Sequence, residues 1–157
     1  MITGLGVDIV EIGRMATALQ RHPAMRERLF SAEERAYCDK RNRPEIHYAL
    51  RFAAKEAVLK ALGTGFAGMK FRDVEVVRDA GGRPTPRLSG RAKEVADELG
   101  VVELHLSLSY THTTAVASAV AITTRKADSA DLDPEKRRAA AFKDARALLD
   151  DLEPPAV

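Results

Sequence analysis

The chain has 157 residues, of which 45% are hydrophobic, and carries a formal net charge of +2. This length suits one compact domain, and the high apolar content with low net charge excludes an intrinsically disordered chain. Because 25 basic residues balance 23 acidic ones, no overall positive field favours nucleic acid, and we expect no such partner. A single cysteine excludes an intrachain disulfide, and no apolar run approaches the roughly 20 residues of a membrane span. We therefore expect a cytoplasmic protein without a membrane attachment.

The first predicted element is a β-strand over residues 4–10 that contains an acidic residue. Alternation separates its apolar side chains from a side that carries only glycines and Asp8. Asp is rare in strands, and the small neighbours leave room for another group to approach the backbone. Two interpretations remain open: Asp8 binds a group in that space, or it caps the turn that follows.

The other predicted elements alternate between helices and strands. Helices are predicted over residues 11–21, 31–40, 45–62 and 91–99, and strands over 72–78, 85–88, 102–109 and 115–122. Regular β–α–β units are absent from this order, so the sequence indicates an α+β fold.

The helix predicted over 45–62 carries a carboxylate within a largely apolar stretch. Glu56 shares a helical stripe with Phe52 and Lys60, and an exposed Glu–Lys pair would stabilise the helix by only ~0.2–0.5 kcal/mol. Because alanines and Val58 surround Glu56, we expect it to be at least half buried, where a carboxylate needs a counter-ion or a metal. Asp8 and Glu56 together would suit a hard cation such as Mg²⁺.

The sequence GTGFAG at residues 63–68 matches a dinucleotide-binding pattern literally. That pattern needs a strand before the loop and a helix after it, whereas here the order is reversed. We interpret the segment as a helix stop followed by a flexible loop.

The strand predicted over 102–109 alternates apolar and polar side chains. Its predicted apolar face holds Val102, Leu104, Leu106 and Leu108, and its polar face holds Glu103, His105, Ser107 and Ser109. This polar row either faces water, as on many sheets, or contacts phosphate or sugar groups of a ligand lying across it.

Two charged regions complete the sequence. Arginines gather early in the chain, where Arg14 and Arg21 share a helical face that is either solvated or recognises an acidic protein helix. Residues 125–157 form a charged extension, and a helix is predicted there over 134–152. This extension is expected to dock on the domain or a partner, or to remain a solvated tail.

The segments GLGVDIVEIGRM, RFAAKEAVLKALGTGF, GGRP and HLSLS, in this order, resemble the holo-acyl-carrier-protein synthases. These are short, single-domain members of the phosphopantetheinyl transferase superfamily, and the resemblance covers residues 1–124. It implies a small antiparallel sheet packed on a long helix, assembled as a homotrimer with active sites at subunit interfaces. The implied activity is Mg²⁺-dependent transfer of 4′-phosphopantetheine from coenzyme A to a serine of an acyl carrier protein, for fatty acid or polyketide biosynthesis.

The same resemblance implies roles for individual residues. It makes Asp8 and Glu56 the ligands of Mg²⁺, or of Mn²⁺ in its place, and it puts Lys60 at the phosphates of the reacting centre. It implies coenzyme A contacts at Arg51, Lys60, Gly65, Arg83, Pro84, His105 and Ser107. The surface that docks the carrier protein corresponds to Arg14, Arg21 and Arg28. Close packing between subunits would use the small side chains of Ala115, Ala117, Ala119 and Ala121.

One position departs from the family pattern. Many relatives have a histidine directly after the HLSLS strand motif, where this chain has Tyr110, with His112 two places on. A metal-activated water or a carboxylate is therefore the expected proton acceptor. Two other functions stay open: a coenzyme A or nucleotide-binding module that has lost catalysis, and a carrier-protein docking scaffold that acts through Arg14 and Arg21.

Overall fold

The computed structural model describes residues 1–63 and 68–124, which form an α+β fold. Its elements are β1 (Ile2–Glu11), α1 (Ile12–Arg21), α2 (Ala24–Leu29), α3 (Ala32–Asp39), α4 (Pro44–Ala61), a 3₁₀ turn (Phe71–Asp73), β2 (Val74–Arg78), β3 (Pro84–Leu88), α5 (Gly90–Glu98), β4 (Val101–Tyr110) and β5 (Thr114–Thr123). The predicted fold class is confirmed, and every element predicted before residue 124 is present. The helix predicted over 134–152 lies outside the described residues.

Helix α2 was not predicted from the sequence. It has six residues and follows Pro23, so it is too short to show the 3.6-residue repeat on which helix prediction depends. The predicted boundaries of the neighbouring helices are within about two residues of the observed ones. The predicted capping box at the start of α3 is confirmed, since Ser31 and Glu34 exchange backbone and side-chain hydrogen bonds. No helix in the described ranges is both long and apolar enough to cross a bilayer.

Three strands form an antiparallel sheet in the order β1-β5-β4, and β2 and β3 pair separately as a hairpin. In the main sheet β5 is central, and the register sets Asp8 of β1 opposite Ala117 and Gly6 opposite Ala119. Strand β4 pairs with the other edge of β5, setting Ser107 opposite Ser118. These pairings decide which side chains share each face of the sheet.

The inner face of the sheet packs directly on helix α4. A methyl group added at Gly6 would lie 1.9 Å from the carbonyl oxygen of Ala57, so only glycine permits this approach. The neighbouring strand β5 presents a row of alanines to the same helix, and all of them are fully buried: Ala115, Ala117, Ala119 and Ala121. The expectation that this alanine face packs against another subunit is therefore wrong, because α4 of the same chain covers it.

The outer face of the sheet is apolar on β1 and polar on β4. Leu5 and Ile9 are 63% and 64% exposed, and Val7 between them is also exposed. On β4 the exposed side chains of this face are His105, Ser107 and Ser109, as the alternation predicted. The prediction for Val102 is wrong, because a register shift between Val101 and Glu103 leaves its side chain exposed instead of on the inner face.

A fully buried ion pair connects the helices to the β2–β3 hairpin. Lys55 Nζ of α4 donates to Glu34 Oε2 of α3 at 2.7 Å, and neither side chain is exposed. The same ammonium donates to the carbonyl oxygens of Phe71 and Val74, and Glu34 Oε1 accepts from the backbone N–H of Val76. This pair of charges thereby joins α3, α4, the 3₁₀ turn and β2. The pair was not predicted from the sequence.

Candidate active site

Asp8 lies in the middle of β1 and points from the inner face of the sheet towards α4. Its Oδ1 accepts a hydrogen bond from Lys60 Nζ at 2.7 Å, and the same ammonium donates to the carbonyl oxygen of Val7 at 2.9 Å. The interpretation of Asp8 as a cap at a strand end is therefore wrong. The glycines beside Asp8 let α4 come close enough for the last turn of the helix to deliver Lys60 to this carboxylate.

Glu56 lies one helical turn before Lys60 and is only 4% exposed. Its Oε1 is buried and has no hydrogen-bond partner among the described residues. Burial and, to a smaller extent, the charge of Asp8 raise the pKa of Glu56 to about 8, although the charge of Lys60 opposes the shift. The sequence-based expectation of a buried carboxylate is confirmed, and the alternative of a solvated Glu–Lys pair is wrong.

Asp8 and Glu56 act on one another electrostatically across the β1–α4 contact. Burial also raises the pKa of Asp8, although the hydrogen bond and the charge of Lys60 oppose that shift. When both carboxyl groups are ionised in this poorly solvated space, they carry more negative charge than the Lys60 ammonium can neutralise. Such an arrangement favours a further cation.

The donor set fits a hard divalent cation. Within residues 1–63 and 68–124, no group of three or more His, Cys, Asp or Glu side chains could hold a metal by itself. A cation at Asp8 and Glu56 would therefore take its remaining ligands from water or from a bound phosphate. Mg²⁺ commonly binds in this way, through one or two carboxylates together with substrate phosphates. The unpaired Glu56 Oε1 is the oxygen that such an ion would satisfy.

The remaining residues implied to contact coenzyme A are spread over the described chain. Arg51 is buried in α4 on the side that faces α3, where its guanidinium lies over the Tyr37 ring. Arg83 and Pro84 lie in the β2–β3 hairpin, and the backbone N–H of Arg83 donates to Asp79 Oδ1. Gly65 lies outside the described residues.

His105 and Ser107 project from the outer face of the sheet, whereas Asp8 projects from the inner face. His105 Nε2 lies 2.9 Å from Glu103 Oε2, and both side chains are exposed. One chain therefore brings Asp8, Glu56 and Lys60 together but does not bring His105 and Ser107 to them.

The arginines predicted to dock a carrier protein lie on two consecutive helices. Arg14 and Arg21 are on α1 but are not among the residues that this helix buries in the core. Arg28 is exposed on α2. The short helix α2, which was not predicted from the sequence, places Arg28 after α1. The Arg14 side chain is half buried, and Arg21 is exposed.

A group of arginines around Tyr37, formed by Arg41, Arg51 and Arg78, was not predicted from the sequence. These residues come from three separate segments, so no local pattern joins them. The spacing of Tyr37 and Arg41, four residues apart, was the single signal that the sequence contained.

Comparison with known proteins agrees with this fold. The sequence model of the 4′-phosphopantetheinyl transferase superfamily matches residues 4–120. The holo-[acyl-carrier-protein] synthase of Moorella thermoacetica is 49% identical over 117 residues, which cover 74% of this chain and 90% of that protein. The corresponding protein of Clostridium kluyveri is 50% identical over 121 residues, covering 76% and 90%.

Solved structures of similar proteins share the fold. The holo-[acyl-carrier-protein] synthase of Neisseria meningitidis superposes with a TM-score of 0.71 at 34% identity, covering 78% of this chain and 100% of that one. The Bacillus anthracis synthase, solved in complex with coenzyme A (3′,5′-ADP), gives a TM-score of 0.65 at 35% identity and covers 79% and 99%. The resemblance found in the sequence is confirmed, and the chain belongs to the 4′-phosphopantetheinyl transferase superfamily.

Proposed function

We propose that this protein transfers 4′-phosphopantetheine from coenzyme A to a serine of an acyl carrier protein, for fatty acid or polyketide biosynthesis. The observation that carries the proposal is Glu56, a buried carboxylate with an unpaired oxygen beside Asp8 and Lys60. The named relatives are holo-[acyl-carrier-protein] synthases, and similar structures were solved with coenzyme A bound.

The reaction is a phosphoryl transfer that needs positioning and charge neutralisation more than covalent help from the enzyme. The serine oxygen of the carrier protein forms a bond to the β-phosphorus, the pyrophosphate P–O bond breaks, and 3′,5′-ADP leaves. The nucleophile belongs to the substrate, so this chain needs no catalytic serine or cysteine. A bound Mg²⁺, or Mn²⁺ in its place, would supply positive charge to the pyrophosphate oxygens.

Asp8 and Glu56 are the residues proposed to hold that ion, and Lys60 is proposed to contact the phosphates. The Lys60 ammonium is already oriented by Asp8 and by the carbonyl oxygen of Val7. From there it can stabilise the negative charge that develops on the leaving group. The serine proton is proposed to pass to a carboxylate, since Tyr110 occupies the position of the histidine found in many relatives and is exposed at the end of β4.

The active sites are proposed to lie between subunits of a homotrimer. Coenzyme A is proposed to contact Arg51, Lys60, Gly65, Arg83, Pro84, His105 and Ser107. Because His105 and Ser107 lie on the face of the sheet opposite Asp8, a site that uses all these residues must draw on more than one chain. The exposed apolar side chains of β1 give the outer face a reason to be covered.

The acidic carrier protein is proposed to dock on Arg14, Arg21 and Arg28. Basic residues on consecutive helices suit recognition of an acidic partner, because complementary charge speeds and orients the encounter. We propose that residues 1–124 form the catalytic domain, that 125–157 are an appendage to it, and that the protein acts in the cytoplasm without nucleic acid or membrane partners.

Intact-protein mass spectrometry tests the activity. Folded protein with Mg²⁺, coenzyme A and apo carrier protein is expected to give a mass gain of about 340 Da on the carrier, the mass of phosphopantetheine. Glu56→Gln keeps the side-chain shape but removes the charge, and it is expected to lower the rate by about 100-fold or more. The matched control is Glu33→Gln, an exposed position on α3 that is expected to retain the wild-type rate.

Other outcomes of the assay would contradict the proposal in different ways. If folded wild-type protein binds coenzyme A in calorimetry but gives no adduct, the protein is a binding module and not a transferase. If Glu56→Gln and Asp8→Asn retain full activity, the reaction does not use this pair of carboxylates.

For the docking surface, Arg21→Glu is expected to raise KM for the carrier protein while leaving KM for coenzyme A unchanged.

A further inference from the structure

The end of the main sheet at which β5 finishes carries exposed apolar side chains. Met1 and Ile2 are 59% and 65% exposed, and Val102 of β4 is 55% exposed. Ile2 lies opposite Ile122 of β5, and Val102 lies in the register shift on the other side of Ile122. These four residues, termed the terminal patch, therefore surround the point at which the chain leaves the sheet.

The terminal patch is fixed on paired backbone. The N–H of Thr123 donates to the carbonyl oxygen of Met1 at 2.9 Å, and both neighbouring strands pair with the last residues of β5. Side chains held in this way cannot turn away from water without breaking strand pairing. Exposed apolar side chains grouped on such a surface mark a place where another apolar surface binds.

The sequence that follows β5 supplies a matching apolar surface. Residues 125–157 lie outside the described residues, and the sequence predicts a helix there over 134–152. The apolar side chains of that segment recur at steps of three and four residues, which would put them on one side of the helix: Ala141, Phe142, Ala145, Leu148, Leu149 and Leu152. Most of the stability of an amphipathic helix comes from packing of its apolar side. The predicted helix therefore needs an apolar surface to cover.

Chain length and charge favour the patch of the same protein as that surface. The link over residues 125–133 spans at most about 30 Å, and it starts beside the terminal patch. A tethered segment has an effective concentration on the order of millimolar at such a site, which a separate partner must exceed. Residues 125–157 carry seven basic and eight acidic side chains, so their net charge does not favour a strongly charged partner instead.

We propose that residues 134–152 dock their apolar side on the terminal patch and shield Ile2 and Val102 from water. The middle of the outer face, where Leu5, Val7 and Ile9 are exposed, stays available to the neighbouring subunits of the proposed homotrimer. Docking and assembly thereby use different parts of the sheet. The docking does not depend on transferase activity.

Fluorescence of a single introduced tryptophan tests the docking in the full chain, because the natural sequence contains none. Phe142→Trp puts the indole on the apolar side of the predicted helix, and Ala147→Trp, the matched control, puts it on the opposite side. The Phe142→Trp protein is expected to emit at shorter wavelength than the Ala147→Trp protein, since docking removes the indole ring from water.

A second substitution in the Phe142→Trp protein tests the terminal patch itself. Val102→Glu adds a charge at an exposed position of the patch and is expected to shift the emission to the longer wavelength of a solvated indole. Ala36→Glu adds the same charge on the exposed side of α3 and is expected to leave the emission unchanged. Circular dichroism confirms that each variant is folded.

Three results would overturn the proposal. If Phe142→Trp and Ala147→Trp emit alike at long wavelength, residues 134–152 are solvated. If the Phe142→Trp emission is short but Val102→Glu leaves it unchanged, the segment is buried on another surface. If the short-wavelength emission appears only as light scattering shows the mass rising with concentration, the occupant is a second copy of the segment. The mass-spectrometric test of transfer is independent of all three.

Discussion

At the scale of single residues, Glu56 is a carboxyl group whose buried surroundings oppose its ionised form. Burial, together with the negative charge of Asp8, raises its pKa to about 8. At neutral pH and without a cation, Glu56 is therefore mostly protonated. A divalent cation favours the ionised form, so metal binding and deprotonation of this carboxylate are coupled.

The raised pKa predicts how stability changes with pH in the metal-free protein. Between the ordinary pKa of 4.5 and about 8, folded Glu56 holds a proton that the unfolded chain releases. The free energy of unfolding therefore falls as pH rises through this window, by at most about 1.4 kcal/mol per pH unit from this group. Thermal unfolding in a chelating buffer between pH 5 and pH 8 measures the slope.

Glu56→Gln is expected to flatten that dependence, because the amide does not titrate. Glu103→Gln, an exposed carboxylate on β4, serves as the control and should keep the wild-type slope. A Glu56→Gln protein with an unchanged slope would show that another group is responsible.

At the scale of elements, the contact between β1 and α4 depends on glycines in the strand. A Cβ atom at Gly6 would overlap the carbonyl oxygen of Ala57, and one at Gly4 would overlap that of Ala61. A side chain at either position must push the strand away from the helix. That displacement would also separate Asp8 from Lys60.

Gly6→Ala is accordingly expected to destabilise the protein by about 3 kcal/mol or more, since the overlap is with rigid backbone. Gly13→Ala is the matched control: it lies in α1 with no atom within 4 Å of an added methyl group, and should stabilise by about 0.5–1 kcal/mol. Urea unfolding measures both changes. Equal stabilities for the two variants would contradict the close packing described here.

The buried pair of Lys55 and Glu34 predicts a second effect on stability. Lys55→Met leaves the Glu34 carboxylate buried without its cation and is expected to cost about 3–5 kcal/mol. Adding Glu34→Gln removes the remaining charge and keeps the capping box, so the double variant should recover part of the loss. A double-mutant cycle by chemical denaturation measures the coupling, and strictly additive effects would contradict it.

At the scale of the whole molecule, the outer face of the sheet leaves large apolar side chains of β1 exposed to solvent in the single chain. Its exposed side chains are Ile2, Leu5, Val7 and Ile9, and it also carries His105 and Ser107 of β4. Covering this face with a second chain would bury apolar surface and bring residues of two chains into one site. Both effects are in keeping with the proposed homotrimer.

Ile9→Glu is expected to convert the assembly to monomers and to abolish phosphopantetheine transfer, because a charge on the outer face cannot be buried cheaply. Light scattering coupled to size-exclusion chromatography measures the mass, and circular dichroism checks the fold. The control is Ala36→Glu on the exposed side of α3, which should leave both assembly and activity unchanged. A wild-type protein that is monomeric and fully active would contradict the proposal.

Local patterns in the sequence were sufficient for most of the secondary structure. Helix α4, the capping box at Ser31 and the alternation along β4 depend on neighbours within a few residues, and these predictions are confirmed. Predictions failed where a single local irregularity intervened. The register shift at Val101/Glu103 turned Val102 outwards, and α2 was too short to show a helical repeat.

The family, the α+β class and the two unusual carboxylates could be predicted from the sequence, because motif, composition and hydrophobic period are properties of adjacent residues. Three other features became visible only in the folded chain: α4 covers the alanine face of β5, Lys60 binds Asp8, and His105 lies on the other face of the sheet. The arginine group at Tyr37 is a fourth feature of this kind. These contacts join residues far apart in the chain, and their partners are chosen by how sheet and helix pack, which no local pattern encodes.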